Sequence, residues 1–280
     1  MRFGDRTLNN GEHVSKYIQT ELSEQVLTIS LNRLDAQNAL IPQLLSELLG
    51  IFTEVSGNPE VRAVVLQSNS VAFSIGGDMH EFNRHFPDIR DYAQDIVGKL
   101  NQVILAMIDL QQPIVTAVHG VVTGGSIGLV LASDLVLVAP QAVFKAHYPS
   151  AGFSPDGGWG VLLPRIIGPR RAAECLLLNK SFDAHQAVEW GVANCVLTQE
   201  SLREEARKMA LRIARYPVGT MSNSKRLLWR ERAQIALDLE QEKQKFVELI
   251  LQDDAREGVH RFLQNYKDYP PENTYSTKGR

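Results

Sequence analysis

Apolar residues at 41, 44, 45, 48, 49, 51, 52 and 55 fall on one face of a 3.6-residue repeat, so the pattern predicts a helix over 41–55, ended by Asn58-Pro59. Upstream, residues 14–22 and 25–31 read as two strands of a hairpin turning at Ser23-Glu24, and residues 32–40 read as a polar loop. The β-branched runs at 61–66 and 114–118 show no polar alternation, as in strands covered on both faces of a parallel sheet. Between them the pattern gives a loop over 69–78 and helices at 79–86 and 90–109, the second stopped by Gln112-Pro113. A helix over 126–132 and a strand over 135–139 continue the series. Such alternation predicts an α/β fold, with parallel layering and right-handed crossovers.

From Arg170 the chain turns mainly helical, with helices over 172–178, 184–190 and 201–214 and a last strand over 193–197. Tyr216-Pro217 interrupts the pattern, which then resumes to Asp254. Within it, residues 233–251 are apolar at 233, 235, 236, 237, 239, 246, 247, 249, 250 and 251, more than a solvent-facing helix needs. This segment is expected to cover the core or to meet a partner subunit. The organisation that follows is a flexible lead-in over 1–15, a core over 16–215, a C-terminal helical region over 216–268, and a Pro- and polar-rich disordered tail over 269–280.

Composition narrows the function. The 280 residues are 44% hydrophobic with a net charge of −3, which suits a substantial core and argues against nucleic acid as main partner. Arg165, Arg170, Arg171 and the run 225–232 could still form a basic face, which keeps a non-catalytic RNA-binding reading as a rival. Cys175 and Cys195 lie in apolar neighbourhoods and are expected reduced and buried, as in a cytoplasmic protein. Residues 1–10 have no apolar signal core, and no run approaches the ~18 apolar residues of a membrane span, so no membrane partner is expected. The absence of HExxH, CxxC and P-loop patterns leads us to expect neither a metal nor a separate cofactor.

The chemistry concentrates between His119 and Gly160. Gly124-Gly125 opens a helix, where unpartnered N–H groups and the positive end of the dipole suit a negative charge, including one that exists only in a transition state. Asp156, in its own turn of glycines, is the carboxylate nearby that could move a proton. Its other reading is a cap for a helix starting near Gly158.

Three stretches together resemble the crotonase superfamily, the enoyl-CoA hydratase/isomerase family. Leu31-Asn32-Arg33-Leu34-Asp35-Ala36-Gln37-Asn38-Ala39-Leu40 is similar to LNRP-x-x-x-NAL, with Leu34 in place of proline. Ala72-Phe73-Ser74-Ile75-Gly76-Gly77-Asp78-Met79 is similar to AFSAGADL, and the glycine-rich stretches at 120–134 and 152–158 complete the set in order. The resemblance, over about residues 20–265, implies a crotonase-like spiral of ββα units, trimers or hexamers assembled through the C-terminal helices, and acyl-CoA thioester substrates. Coenzyme A then arrives as part of the substrate.

By the same resemblance the N–H groups of Gly77 and Gly125 bind the thioester oxygen, and the backbone around Ile75, Gly77 and Met79 lines the adenine pocket. Arg33 would meet a CoA phosphate or stand as a solvated surface arginine, and Val122, Phe144 and Phe153 are expected to form a low-polarity, substrate-binding pocket that raises the pKa of Asp156. Hydratases of the family carry glutamates at the positions of Gly128 and Tyr148, and neither residue here can serve as a carboxylate base. Asp156, in Pro155-Asp156-Gly157-Gly158, matches the aspartate with which family isomerases shuttle a proton. The expectation is therefore an enoyl-CoA isomerase. His147 lies nine residues before Asp156, a spacing shared by β-diketone hydrolases of the superfamily, and this is the second catalytic reading.

Overall fold

Continuous apolar runs become the spine of a sheet covered on both faces. The computed structural model describes residues 11–268. The chain opens with β1 (Gly11–Val14), β2 (Ile18–Ser23) and β3 (Val26–Leu31), paired antiparallel, with Glu24 and Gln25 at positive φ in the tight turn between the last two. Then come α1 (Pro42–Gly57), β4 (Ala63–Ser68), α2 (Met79–Arg84), α3 (Ile89–Asp109) and β5 (Ile114–Val118). β6 (Val121–Thr123), a 3-10 turn at Gly124–Ser126, α4 (Ile127–Leu131), β7 (Leu135–Val138), β8 (Val143–Lys145) and α5 (Tyr148–Ala151) follow. The remainder is α6 (Leu163–Ile167), α7 (Pro169–Leu177), β9 (Phe182–Asp183), α8 (Ala184–Glu189), β10 (Cys195–Val196), α9 (Gln199–Ala214), α10 (Val218–Leu228), α11 (Arg232–Ile250) and α12 (Asp253–Asp268).

The large sheet has the order β1-β2-β3-β4-β5-β7-β10, parallel from β3 onward. The small one has the order β6-β8-β9. Successive strands divide between them: β5 and β6 precede α4, and β7 and β8 precede α5. Single bridges, Leu40 to Gly77 and Ser74 to Val122, carry the pattern into the earlier turns. The result is a spiral of ββα units, as the resemblance implies.

Burial follows this layering. Val65, Val115, Ala117 and Leu137 face Leu202, Ala206 and Ala210 of α9 on one side of the large sheet. On the other side Ile29, Val64 and Leu66 join the main core with Leu44, Leu48 and Phe52 of α1 and with α3. Two covered faces explain why these strands carry no polar alternation.

Three expectations change. Residues 11–14 of the expected lead-in form β1, an edge strand held by main-chain pairing, while residues 1–10 and the tail 269–280 lie outside the described residues. β6, β8 and β9 went unforeseen because strands of three, three and two residues are too short to show a period. Cys195 is only partly buried, whereas Cys175 is buried as expected. Among the described residues no helix is long and apolar enough to cross a membrane.

The C-terminal helices fold back over the core. Asn101 of α3 donates to the Leu239 carbonyl of α11 at 2.9 Å. α12 crosses α5 where Gly258 meets Ala151, so close that a Cβ on Gly258 would stand 2.1 Å from the Ala151 carbonyl oxygen. α11 buries Ile235, Leu239, Phe246, Val247 and Ile250 and leaves Leu237 and Leu249 exposed, so much of its apolar character serves this chain's own core.

Candidate active site

The segment after β4 runs beside the start of β6 and α4, and their glycines permit the contact. A Cβ on Gly76, whose φ is +78°, would lie 2.6 Å from the Thr123 carbonyl oxygen. The Ser126 hydroxyl donates to the Ser74 carbonyl at 3.1 Å and further ties the two segments. In the bridge to Leu40, the Leu40 N–H donates to Gly76 O and the Asp78 N–H to Leu40 O. The alternation of extended backbone turns the Gly77 N–H, between these two, the other way. Gly125 occupies the first turn ahead of α4, where N–H groups lack helical partners. Gly77 and Gly125 both line the same cleft.

Asp156 is brought to Gly125 by the turn it sits in. Gly157, φ +63°, stacks on Gly125 so closely that a Cβ there would meet the Gly125 carbonyl oxygen at 2.3 Å. The buried indole of Trp159 donates from Nε1 to the Gly124 carbonyl at 2.8 Å and pins the same turn. A Cβ on Gly125 would in turn lie 3.0 Å from both carboxylate oxygens of Asp156. The carboxylate therefore stands against the proposed oxyanion glycine, on the cleft wall. It caps no helix, since α6 begins only at Leu163 and has no side-chain cap.

Burial pushes the Asp156 carboxyl up to about 6, against an opposing hydrogen bond from Tyr148. The Tyr148 hydroxyl, from α5, donates both to Oδ1 of Asp156 and, at 3.0 Å, to its carbonyl. The phenol itself is held well above its ordinary range by burial and by the Asp156 charge. Tyr148 thus serves as a donor where hydratases of the family carry a glutamate. At the other glutamate position, a Cβ on Gly128 would meet Ile104 Cδ1 at 2.5 Å and the Gly157 carbonyl oxygen at 2.7 Å. That space is filled.

The remaining predicted residues divide. Ile75, Met79, Phe153 and His147 line the cleft with Gly77, Gly125, Tyr148 and Asp156. Val122 and Phe144 do not: paired across β6 and β8 and fully buried, they face the core, where Phe144 stacks on Phe182 at 4.7 Å between centroids. Phe82, Leu100 and Phe246, which the linear pattern did not single out, take their place in the lining. Arg33 donates to Asp78 Oδ2 at 2.7 Å and to the Ala39 carbonyl at 2.8 Å, so it braces the motif loop instead of standing free for a phosphate. The His147 ring makes no hydrogen bond with Asp156; the main-chain N–H of His147 donates to Asn179 Oδ1 at 3.0 Å, the ring Nε2 is buried without a partner among the described residues, and burial lowers the ring to about 4. Among the described residues no group of three or more His, Cys, Asp or Glu converges as a metal-ligand set.

Glu242 of α11 was also missed. Its carboxylate accepts from the Gly158 N–H at 2.8 Å and the Gly160 N–H at 2.7 Å. Burial pushes it up to about 7, against the two N–H bonds, with the Asp156 charge adding to the rise. Nothing in the spacing could reveal this, because 84 residues separate Glu242 from Gly158.

The sequence model of the enoyl-CoA hydratase/isomerase family matches residues 21–270. The chain belongs to that family. Among its relatives, a 4-chlorobenzoyl coenzyme A dehalogenase of Arthrobacter sp is 31% identical over 210 residues, 75% of each chain. The 1,2-epoxyphenylacetyl-CoA isomerase of Escherichia coli (strain K12) is 28% identical over 252 residues, 89% of this chain and 95% of the relative. The crystal structure of an enoyl-CoA hydratase from Bacillus halodurans shares the fold with a TM-score of 0.82 at 24% identity, covering 88% of this chain and 99% of the other. The protein is an acyl-CoA-binding enzyme of the crotonase superfamily, whose members in these comparisons include hydratases, isomerases and dehalogenases. Part of the basic face weighed for RNA is taken up by carboxylates: Arg165 pairs with Asp238, Arg171 with Glu189, Arg232 with Asp109, and Lys225 is buried on Asp134.

Proposed function

We propose that this enzyme is an enoyl-CoA isomerase in which Asp156 moves a proton along the acyl chain of a CoA thioester. The observation that carries the reading is that Asp156 is the acidic side chain lining the cleft, set against Gly125, while Gly128 and Tyr148 supply no carboxylate to activate water. The Gly77 and Gly125 N–H groups hold the thioester oxygen as it gains charge, each such donor lowering the barrier by roughly 3–4 kcal/mol. The free oxygen of Asp156 takes a proton from the α or γ carbon and returns it at the other, which shifts the double bond with no net loss or gain of atoms. The Tyr148 hydroxyl holds the other oxygen and keeps the carboxylate turned to the substrate. A base near pH 6 is charged at neutral pH and still basic enough to act. No metal or separate cofactor enters these steps.

The deciding experiment follows deuterium exchange at the α and γ carbons of a 3-enoyl-CoA by NMR. Exchange with the wild type, lost in Asp156→Asn with CoA-ester affinity kept within about threefold, is the expected result. Undiminished exchange in Asp156→Asn, or hydration of crotonyl-CoA at a comparable rate, overturns the reading. The similarity to 4-chlorobenzoyl-CoA dehalogenases favours a second reading, in which Asp156 attacks a ring carbon and displaces chloride; chloride release from that thioester would establish it. The β-diketone route loses ground, because Tyr148 and not His147 holds Asp156. Assembly into trimers is part of the proposal: Leu177, Leu178, Leu227 and Leu228 stand 74–78% exposed on a single chain. Light scattering should give a mass near three chains of 31.2 kDa, and a monomer would refute that part.

A further inference from the structure

We propose that Glu242 is a positioning residue for Asp156: by holding the main-chain N–H groups of Gly158 and Gly160 it fixes the turn that sets the Asp156 carboxylate against Gly125. The inference rests on the reading of Asp156 as the reactive group. Both oxygens of Glu242 are used, one on each N–H, at 2.8 and 2.7 Å. The turn is shaped to receive them. Gly158 has a φ of +88°, and a Cβ on Gly160 would come within 3.0 Å of Glu242 Oε1. Adjacent turns of α11 thus hold the loop and the helix after it, since Asp238, four residues before Glu242, pairs with Arg165 of α6 at 2.7 Å.

A carboxylate is an expensive way to hold a loop. Glu242 is half-buried with main-chain dipoles as partners, and no cation is among the groups that shift it. A purely structural anchor would gain more from a cation or from apolar contact. What a rigid acceptor supplies is direction: the Gly157–Trp159 turn is held from the Glu242 side while Trp159 and Gly157 hold it on the Gly124-Gly125 side. Asp156 is gripped between. The polar groups that face it are Tyr148 from α5 and Glu242 from α11; α3 presents Leu100, and the oxyanion segment presents main chain. Loosening the α11 side lets the turn move and admits water to the Asp156 carboxyl, which weakens the burial that raises it and so lowers its proton affinity.

The test reads Asp156 directly, in the intact protein, by NMR titration of carboxyl-labelled aspartate, with the signal assigned from Asp156→Asn. In Glu242→Gln the Asp156 midpoint is expected to fall by about one unit or more toward the ordinary carboxylate range. Proton exchange on a 3-enoyl-CoA should lose roughly 30-fold in kcat with KM within about threefold. Glu242→Asp keeps the charge but is too short to reach both N–H groups, so it should show most of the same loss in kcat. Asp238→Asn, which releases Arg165 from the same helix, controls for general loosening and should leave the midpoint within about 0.3 units. An unmoved midpoint in folded Glu242→Gln, an equal shift in Asp238→Asn, or full activity in Glu242→Asp overturns the proposal. If the wild type exchanges no proton on any CoA thioester, the isomerase reading fails, while the titration still decides whether Glu242 positions Asp156.

Discussion

Two of the places where the described residues bury charge treat it in opposite ways. Beneath α10, Lys225 meets Asp134 at 2.8 Å with side-chain exposures of 3% and 9%. Every remaining bonding site there is used: Lys225 donates to the Met107 and Gln112 carbonyls, and Asp134 accepts from the Ile114 N–H and the Trp229 indole. At the cleft, Asp156 is buried and Glu242 is half-buried near it, with no cation between them, served by O–H and N–H dipoles. The first arrangement cancels its charges and fastens α10 to β5 and the loop before it. The second leaves two carboxyls raised above their ordinary range, which costs stability at neutral pH.

The largest expected effect separates the two sites at once. Asp156→Asn should reduce proton exchange by at least ~10³-fold while raising the melting temperature by a few degrees at pH 8, because a buried charge has been removed. Calorimetry showing a lower melting temperature would break the contrast. Lys225→Met should do the reverse. It strands Asp134 and should cost about 3–5 kcal/mol of stability by denaturant titration, with kcat per folded molecule unchanged.

The pH dependence of stability is the next test. For Asp156 and Glu242 the folded-state values, about 6 and about 7, lie above the ordinary 3.8 and 4.5. The folded state therefore holds protons more tightly than the unfolded chain, so their contribution is complete below about pH 4 and is lost as pH rises through 6 to 7. The denaturant midpoint should fall between pH 5 and 8, and less so in Asp156→Asn. The smallest effect belongs to Tyr148→Phe. Its hydroxyl lowers the Asp156 value, so removing it should move the acid limb of the kcat/KM profile to higher pH and reduce the rate at neutral pH by roughly tenfold. A limb that moves to lower pH would show that Tyr148 acts otherwise.

What the sequence made legible follows from range. The glycines near 76, 125 and 157 announce close backbone contact locally, and the continuous apolar strands announce a sheet covered on both sides. The ββα repeat was less visible, because the second strand of each unit is two or three residues long. Val122 and Phe144 were assigned to the pocket from their place beside the motif. Only the pairing of β6 with β8 shows that they turn to the core. Arg33 reads as a free cation until Asp78, 45 residues on, closes upon it. Glu242 lies in a helix whose apolar stripe describes packing, and its task depends on a loop that no local period connects to it.

The filled space at Gly128 bears on how this enzyme could change its chemistry over time. A glutamate there would meet Ile104 on one side and, on the other, the main-chain carbonyl of Gly157, which cannot be trimmed by substitution. Restoring the glutamate pair of a hydratase therefore takes more than two exchanges at 128 and 148; Ile104 must shrink and the Asp156 turn must withdraw. Packing, as much as the identity of the side chain, therefore keeps a second carboxylate out of position 128.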